Sequence, residues 1–131
     1  MAQRPVELIL LRQLASYLTT PIFVVDEFGT LVYYNEAAES LLGRRFADTD
    51  EMPSEAWIAE FAPHDTDGTL LDDSTNPLLA ALLERREQHR SLAIRSADGE
   101  ERRIEATGIP LVGQAERLVG AVAIFWPADS T

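Results

Sequence analysis

The segment DEFGTLVYYN, from Asp26 to Asn35, gives the clearest structural indication in this sequence. An apolar run over 22–25 stops at Asp26, Gly29 follows, and a second β-prone run ends at Asn35. Asp supplies turn chemistry and Gly tolerates a positive φ at little cost. The segment therefore predicts two antiparallel strands joined by a tight hairpin turn.

A short helix is predicted directly after this hairpin. Asn35 is a favourable N-cap, Glu36–Leu42 follow as the helix, and Gly43 is suited to the C-cap. Asp26, Gly29 and Asn35 are therefore the residues expected to define the turn and the cap.

A longer helix is predicted at the N-terminus, from Pro5 to Leu18. Pro suits the first helical position, and Pro21 disfavours helix at Thr20. The apolar side chains of this helix cover an arc far wider than the roughly 100° stripe that one packing partner requires. We interpret the excess as a dimer interface formed by Val6, Leu10, Leu11, Leu14, Tyr17 and Leu18. The alternative is that the helix only covers one face of its own domain.

Two further helices are predicted in the middle of the chain. Within an irregular acidic region, Ser54 is expected to cap a helix that ends at Phe61 and is anchored by Trp57. A clearer helix opens at Pro77, capped by Thr75 or Asn76. Its apolar stripe is Leu78, Leu79, Leu82 and Leu83, and its last turns contain Arg85 and Arg86.

The remaining sequence predicts three strands. Leu92 and Ile94 alternate with polar residues, Asp98 and Gly99 form a hairpin turn, and Ile104 and Ala106 alternate again until Pro110 ends the run. The segment 118–126 is almost wholly apolar, which predicts a strand covered on both faces. The element order indicates an α+β fold with one antiparallel sheet.

Composition indicates one soluble globular domain. The chain has 131 residues, is 46% hydrophobic, and contains no apolar run long enough to span a membrane and no secretory signal, so a cytoplasmic location is expected. The formal net charge is −11, and all 11 basic residues are Arg. Binding to nucleic acid or to an anionic membrane is therefore disfavoured.

Acidic residues are concentrated in one part of the chain. Between Arg45 and Arg85 there are ten carboxylates and no Lys or Arg. We interpret this segment as a solvated acidic face, and a docking surface for a basic partner is the alternative.

These motifs, in this order, resemble the PAS domains, and the resemblance extends from about Leu14 to Trp126. The first half contains the Asp26, Gly29 and Asn35 pattern. The second half contains Asp67-Gly68-Thr69-Leu70, Asn76-Pro77-Leu78, Asp98-Gly99, Ile109-Pro110-Leu111 and Gly120-Ala121-Val122, which are similar to segments of many bacterial PAS domains.

The resemblance implies a five-stranded antiparallel sheet with short helices on one face. The N-terminal helix would then pack on the other face or on a partner subunit. We accordingly divide the chain into a dimerisation helix at 1–20, a PAS-like domain at 21–127, and a tail or truncated linker at 128–131. Asp129-Ser130-Thr131 loosely resembles the triplet that often ends such domains, so the chain is either a PAS-only protein or a piece of a larger signalling protein.

The resemblance also implies a sensory function without catalysis. A cavity lined by Val24, Leu79, Ile94, Ile104 and Ala106 would take a small, largely apolar ligand and regulate a linked or partner effector. The alternative is a ligand-free module for protein–protein interaction. No hydrolase motif and no Gly-rich phosphate loop is present, so an enzyme is not expected.

No cofactor and no metal are predicted. The chain has no cysteine, which excludes the thiol-based photochemistry of some PAS-like photoreceptors. His64 and His89 both lie outside the helix that opens at Pro77, so haem is not expected. Asp65-Thr66-Asp67-Gly68 lacks the EF-hand spacing, which leaves only a looser cation site among Asp65, Asp67, Asp72 and Asp73 open.

Overall fold

The structure is a computed structural model that describes residues 5–128. Two predictions fall partly or wholly outside the described residues. These are the resemblance of Asp129-Ser130-Thr131 to a closing triplet and the first four residues of the predicted dimerisation helix. The helices are α1 (Val6–Ala15), α2 (Glu36–Leu42), α3 (Phe46–Thr49), α4 (Ser54–Phe61) and α5 (Pro77–Glu84). The strands are β1 (Ile22–Asp26), β2 (Leu31–Tyr34), β3 (Gln88–Arg95), β4 (Glu101–Val112) and β5 (Leu118–Pro127).

The five strands form one antiparallel sheet in the order β2-β1-β5-β4-β3. Helices α2 to α5 pack on one face, which we call the inner face, and α1 packs on the opposite, outer face. The predicted α+β class and the five-stranded antiparallel sheet with short helices on one face are confirmed. In the part of the chain that the structure describes, no helix has the length and apolar character needed to cross a membrane.

The sheet has a core on each face. On the inner face, side chains such as Phe23, Tyr34 and Phe125 form the larger cluster with the helices. On the outer face, Leu8 and Ala15 of α1 pack with a smaller set of strand residues, namely Ile22, Val24, Val32 and Val122. The central strand β5 is therefore covered on both faces, as its apolar sequence predicts.

The first hairpin is organised by the carboxylate of Asp26. Its Oδ1 accepts hydrogen bonds from the backbone N–H groups of Phe28 (2.9 Å) and Thr30 (3.0 Å). Gly29 has a φ of 84°, in the left-handed region that Gly occupies without strain. At the second hairpin the carboxylate of Asp98 accepts from the backbone N–H of Glu100 (2.9 Å), and Gly99 has a φ of 86°.

Asn35 joins three parts of the fold. Its Oδ1 caps α2 by accepting from Ala38 N (3.1 Å) and also accepts from Ile22 N (3.0 Å). Its Nδ2 donates to the carbonyl oxygens of Ala15 (3.0 Å), Leu18 (3.4 Å) and Thr20 (2.9 Å). Asn35 therefore anchors the end of α1 to the hairpin, in addition to capping a helix.

Several predicted element ends differ from the structure. The helix α1 ends at Ala15, and Tyr17 and Leu18 follow it in a turn where each donates to the carbonyl three residues earlier. Strand β4 does not end at Pro110, as predicted, but continues to Val112. Strand β3 pairs with β4 only as far as Gly108. Beyond that point one side of β4 has no neighbouring strand, so the missing N–H of Pro costs no ladder hydrogen bond.

Two predicted helix ends also differ. Ser54 is the first residue of α4 and does not cap it, since Pro53 holds the N-cap position. Helix α5 ends at Glu84, and Arg85 is its C-cap with a left-handed φ of 55°. Asn76 is the cap at the other end of α5, where its Oδ1 accepts from Leu78 N (3.0 Å).

The turn between β4 and β5 contains residues that fit its backbone poorly. Ala115 and Glu116 both have a φ of 57°, and Arg117 N donates to Gln114 O (3.1 Å). Positive φ at both central positions is the geometry of a type I′ turn, which favours the sequence Asn-Gly. A left-handed backbone conformation costs other residues roughly 1–2 kcal/mol each.

We expect the double substitution Ala115→Asn with Glu116→Gly to raise the free energy of unfolding by about 1–2 kcal/mol. Chemical denaturation of the variant and the parent measures this difference. Glu116→Gln is the control, because it removes the charge and retains the strained backbone, and it should leave stability unchanged. A double variant no more stable than the parent would contradict the left-handed turn.

Candidate functional site

A cavity of about 70 Å³ lies between the inner face of the sheet and the helices α2, α4 and α5. The strand residues that line it come from β1, β3, β4 and β5, and they are Phe23, Leu92, Ile94, Ile104, Ala106, Ala123 and Phe125. The helix and loop residues that line it are Leu42, Trp57, Phe61, Pro63, Asn76, Pro77 and Leu78.

The strand contribution follows from the two-residue period of a β-strand. Ala106 pairs with Phe125 and Gly108 with Ala123, so these positions face the same side of the sheet. Small side chains at Ala106 and Ala123 leave space beneath the larger rings. Gly108 allows the start of α5 to lie against the sheet, because a Cβ there would be 2.3 Å from Pro77 O.

The cavity is almost entirely apolar. Asn76 is the only polar amino acid among the residues that line it, and its Oδ1 is occupied in capping α5. The indole N–H of Trp57 is likewise occupied, since it donates to Gly29 O (2.9 Å). These residues can enclose a small apolar molecule and offer it no charged group.

The structure places three of the five predicted lining residues, Ile94, Ile104 and Ala106, at this cavity. The placement of Val24 was wrong, because Val24 belongs to the outer cluster beneath α1, and its neighbour Phe23 faces the cavity instead. The placement of Leu79 was also wrong, since it packs in the inner core near Gly29 and does not line the cavity. The prediction missed the aromatic residues of the lining, since the alternation in β1 shows only that Phe23 and Val24 face opposite sides of the sheet.

His64 connects the loop that contains the cavity residue Pro63 to strand β3. Its backbone pairs with Ala93 of β3 through two hydrogen bonds, N to O at 2.9 Å and O to N at 2.8 Å. Its Nδ1 lies 2.6 Å from Ala62 O, and its Nε2 lies 2.9 Å from Glu101 Oε1. The hydrogen bond to the Ala62 carbonyl, followed by that to Glu101, raises the pKa of His64 because both acceptors favour the protonated ring.

His89 lies on the outer face of the sheet, away from the cavity. Its Nδ1 is 2.8 Å from Thr107 Oγ1, and its Nε2 is 2.9 Å from Glu105 Oε1. Ser91 Oγ also donates to Glu105 (2.6 Å), and this hydrogen bond, with the one from His89, lowers the pKa of Glu105. No ring nitrogen of His89 is therefore directed at a group in the cavity.

The acidic residues considered for a cation do not form a site. Asp65 pairs with Arg90 (2.7 Å), whereas Asp72 Oδ1 accepts from Ser74 N (2.9 Å) and Thr75 N (3.0 Å). Between residues 5 and 128, no three His, Asp or Glu side chains converge in a way that could hold a metal ion.

Helix α1 presents a second apolar side to solvent. Leu8 and Ala15 are buried on the sheet and Leu11 is half-buried. The other residues predicted for the dimer interface are exposed, with Leu10 at 59% and Tyr17 at 78% of their accessible surface, and the same is true of Val6, Leu14 and Leu18. Ile9, which the prediction omitted, is also exposed.

Comparison with known proteins gives a consistent result at the level of the fold. A PAS fold family model matches residues 10–127. The PAS domain of a protein from Colwellia psychrerythraea is 20% identical, with 95% of this chain and 99% of that chain covered and a TM-score of 0.67. The PAS domain of BvgS from Bordetella pertussis is 19% identical over 95% of this chain and 87% of that chain, with a TM-score of 0.63.

The PAS domain of the nitrogen regulation protein NR(II) from Vibrio parahaemolyticus is 17% identical over 91% of this chain and 98% of that chain, with a TM-score of 0.63. No curated protein sequence matches this chain. The family match covers most of the sequence, and these solved structures match its fold with TM-scores between 0.63 and 0.67. This chain belongs to the PAS family of sensory and signalling domains.

Proposed function

We propose that this PAS domain is a dimeric sensory module that binds a small apolar molecule in its cavity and regulates a linked effector or a partner protein in the cytoplasm. The observation that carries the proposal is the pair of apolar sides on α1, one buried on its own sheet and one exposed. The module acts by binding, and the proposal includes no cofactor and no catalysis.

The exposed side of α1 supports a homodimer. Val6, Leu10 and Leu14 recur at spacings of four residues, which places them along one line of the surface of α1, and Tyr17 follows in the turn after the helix. Covering large apolar side chains contributes about 1.5–3 kcal/mol for each residue that becomes fully buried. A two-fold axis beside this line would cover the same residues in both subunits, as an isologous interface requires.

The cavity supports a small apolar ligand and not a large one. An engineered apolar cavity of about 150 Å³ in another protein stays dry and binds benzene. The cavity here, at about 70 Å³, is suited to a molecule of a few heavy atoms. A haem or a flavin would require the surrounding helices to move apart.

Strand β5 connects the cavity with the proposed dimer helix. Ala123 and Phe125 line the cavity on the inner face, whereas Val122 packs with Leu8 of α1 on the outer face. A ligand that displaces β5 would therefore change the position of α1 as well. Such a ligand shifts the equilibrium only if it binds one arrangement more tightly than the other.

Native mass spectrometry and sedimentation test both parts of this proposal together. We expect the parent protein to be a dimer, and Leu10→Ser with Leu14→Ser to be a monomer. Leu70→Ser is the matched control, because Leu70 is 64% exposed and lies far from α1 in the sequence. A monomeric parent protein, or a double variant that stays dimeric, would overturn the proposed interface.

The ligand is tested by the mass retained on the dimer. We expect a fixed extra mass on the parent protein and its loss in Ala123→Leu, which fills the cavity. The alternative function, a ligand-free interaction module, predicts dimers with no extra mass and a cavity-filling variant that is unchanged in every property except stability.

A further inference from the structure

A second depression, which we call the α5 groove and which has both apolar and polar lining residues, lies between the first hairpin turn and the side of α5 that does not line the cavity. Its apolar residues are Phe28, Leu79, Leu82, Leu83 and Leu118, and its polar residues are Glu27, Ser54 and Asp73. It contains about 250 Å³ of open space, more than three times the volume of the cavity.

The groove is preformed and not a gap between loosely placed loops. The turn that carries Phe28 is held by the hydrogen bond from Phe28 N to Asp26 Oδ1 (2.9 Å). Gly29 in the same turn lies against α5, because a Cβ there would be 3.3 Å from Leu79 Cδ2. The indole N–H of Trp57 also stabilises this turn, since it donates a hydrogen bond to Gly29 O (2.9 Å).

Two large apolar side chains at the groove are directed into solvent. Phe28 is 79% exposed and Leu83 is 67% exposed. Neither is needed for the core, and Leu83 lies outside the buried part of the α5 stripe. Large apolar side chains that are exposed together beside a preformed depression are typical of surfaces that bind a partner.

The charges at the groove are of one sign. Glu27 and Asp73 line it, and no Arg is among the described residues that line it. Within residues 5–128, neither carboxylate has a hydrogen bond or an ion pair. The lining residue Asp73 belongs to the segment between Arg45 and Arg85 that contains no Lys or Arg. Both carboxylates are exposed to solvent, and a partner that brings cations beside them gains electrostatic steering as well as contact.

We propose that the α5 groove docks a basic amphipathic segment of a partner protein. One or two large apolar side chains of that segment enter between Phe28 and Leu83, and Lys or Arg residues beside them face Glu27 and Asp73. A second copy of this chain fits this rim less well than a basic segment does, because it has 22 acidic and only 11 basic residues and so offers few cations to Glu27 and Asp73. No residue of α1 lines the groove.

The position of α5 gives the docking site a physical connection to the cavity. Pro77 and Leu78 line the cavity, whereas Leu79, Leu82 and Leu83 line the groove. One short helix therefore forms a wall of both sites. A partner bound in the groove contacts the element that a cavity ligand would displace.

Fluorescence anisotropy with a labelled peptide tests the proposal. The probe is an amphipathic peptide of about twelve residues with Leu on one side and Lys on its flanks, and the matched probe has Glu in place of Lys. We expect the parent protein to bind the Lys probe and not the Glu probe. Phe28→Ser with Leu83→Ser should weaken binding by about ten-fold or more, as the loss of anchor residues does at interfaces.

Charge reversal tests the electrostatic part. Glu27→Lys with Asp73→Lys should reverse the preference, so that the Glu probe binds more tightly than the Lys probe. Leu70→Ser and Glu100→Lys are the controls for an exposed apolar residue and an exposed carboxylate elsewhere, and both should bind like the parent. Circular dichroism verifies that each variant is folded.

Three results would overturn the proposal. The first is a parent protein that does not bind the Lys probe, and the second is equal binding by the Phe28 and Leu83 double variant. The third is a change of oligomeric state in that double variant, which would assign the groove to a second copy of the chain. The Leu10→Ser and Leu14→Ser variant should retain peptide binding, so failure of the dimer proposal and failure of this one are distinguishable.

Discussion

Asn35→Asp is expected to lower the free energy of unfolding by about 3–5 kcal/mol, since it places an unpaired charge in a buried site. Asn35 is only 1% exposed. Its Nδ2 donates to Ala15 O (3.0 Å), Leu18 O (3.4 Å) and Thr20 O (2.9 Å). The carboxylate of Asp has no N–H to offer these three carbonyl oxygens and repels them instead.

The substitution separates the two roles of this side chain. Asp is as good an N-cap as Asn, so the cap of α2 is retained and only the anchor of α1 is lost. Urea unfolding measures the change, and hydrogen exchange of the backbone amides of α1 reports whether this helix detaches first. Asp72→Asn is the control, because it makes the reverse exchange at an exposed turn and should lower stability much less than Asn35→Asp does. Similar losses for both variants would contradict the anchoring role of Asn35.

Gly108→Ala is expected to lower the free energy of unfolding by about 3 kcal/mol or slightly more, the upper end of the range for overpacking. A Cβ at Gly108 would be 2.3 Å from Pro77 O, 2.6 Å from Pro77 C and 3.1 Å from Leu78 N. All three atoms belong to the backbone at the start of α5, so the whole helix must move. Because Pro77 and Leu78 line the cavity, we also expect any retained ligand to be lost.

Gly113→Ala is the matched control for this prediction. A Cβ at Gly113 would also be 2.3 Å from its nearest neighbour, but that atom is Oε2 at the flexible end of Glu7. The Glu7 side chain can rotate away, so we expect a change in unfolding free energy of only about 0.5 kcal/mol. Equal losses for the two variants in urea unfolding would show that the contact between β4 and α5 is not the cause.

Local chemistry was sufficient to predict most of the elements. The hairpin at Asp26 and Gly29, the cap at Asn35 and the helix that opens at Pro77 each depend on residues within a few positions of one another. A carboxylate, a Gly or a Pro at such a position restricts its own backbone, so the sequence alone indicates the outcome. The five-stranded sheet followed because these elements occur in an order that few folds share.

The sequence was less informative about faces and ends. Val24 and Phe23 are both apolar, and nothing in β1 indicates which of them faces the cavity until α1 is seen on the outer side. Pro110 lies within β4 because β3 has already ended beside it, a fact about a strand far away in the sequence. Leu83 continues an apolar stripe yet is exposed, since α5 ends there against a groove and not against the sheet.

The sequence by itself therefore established the family, the order of the elements and the chemistry of each turn and cap, because these depend on neighbours along the chain. The tertiary structure established that Asn35 anchors α1 and that Gly108 allows α5 to pack closely against the sheet. It also established that the cavity and the α5 groove share one helix. Each of these depends on atoms from distant segments meeting at less than 4 Å, and the burial or exposure of a side chain there is decided by what the rest of the chain brings against it.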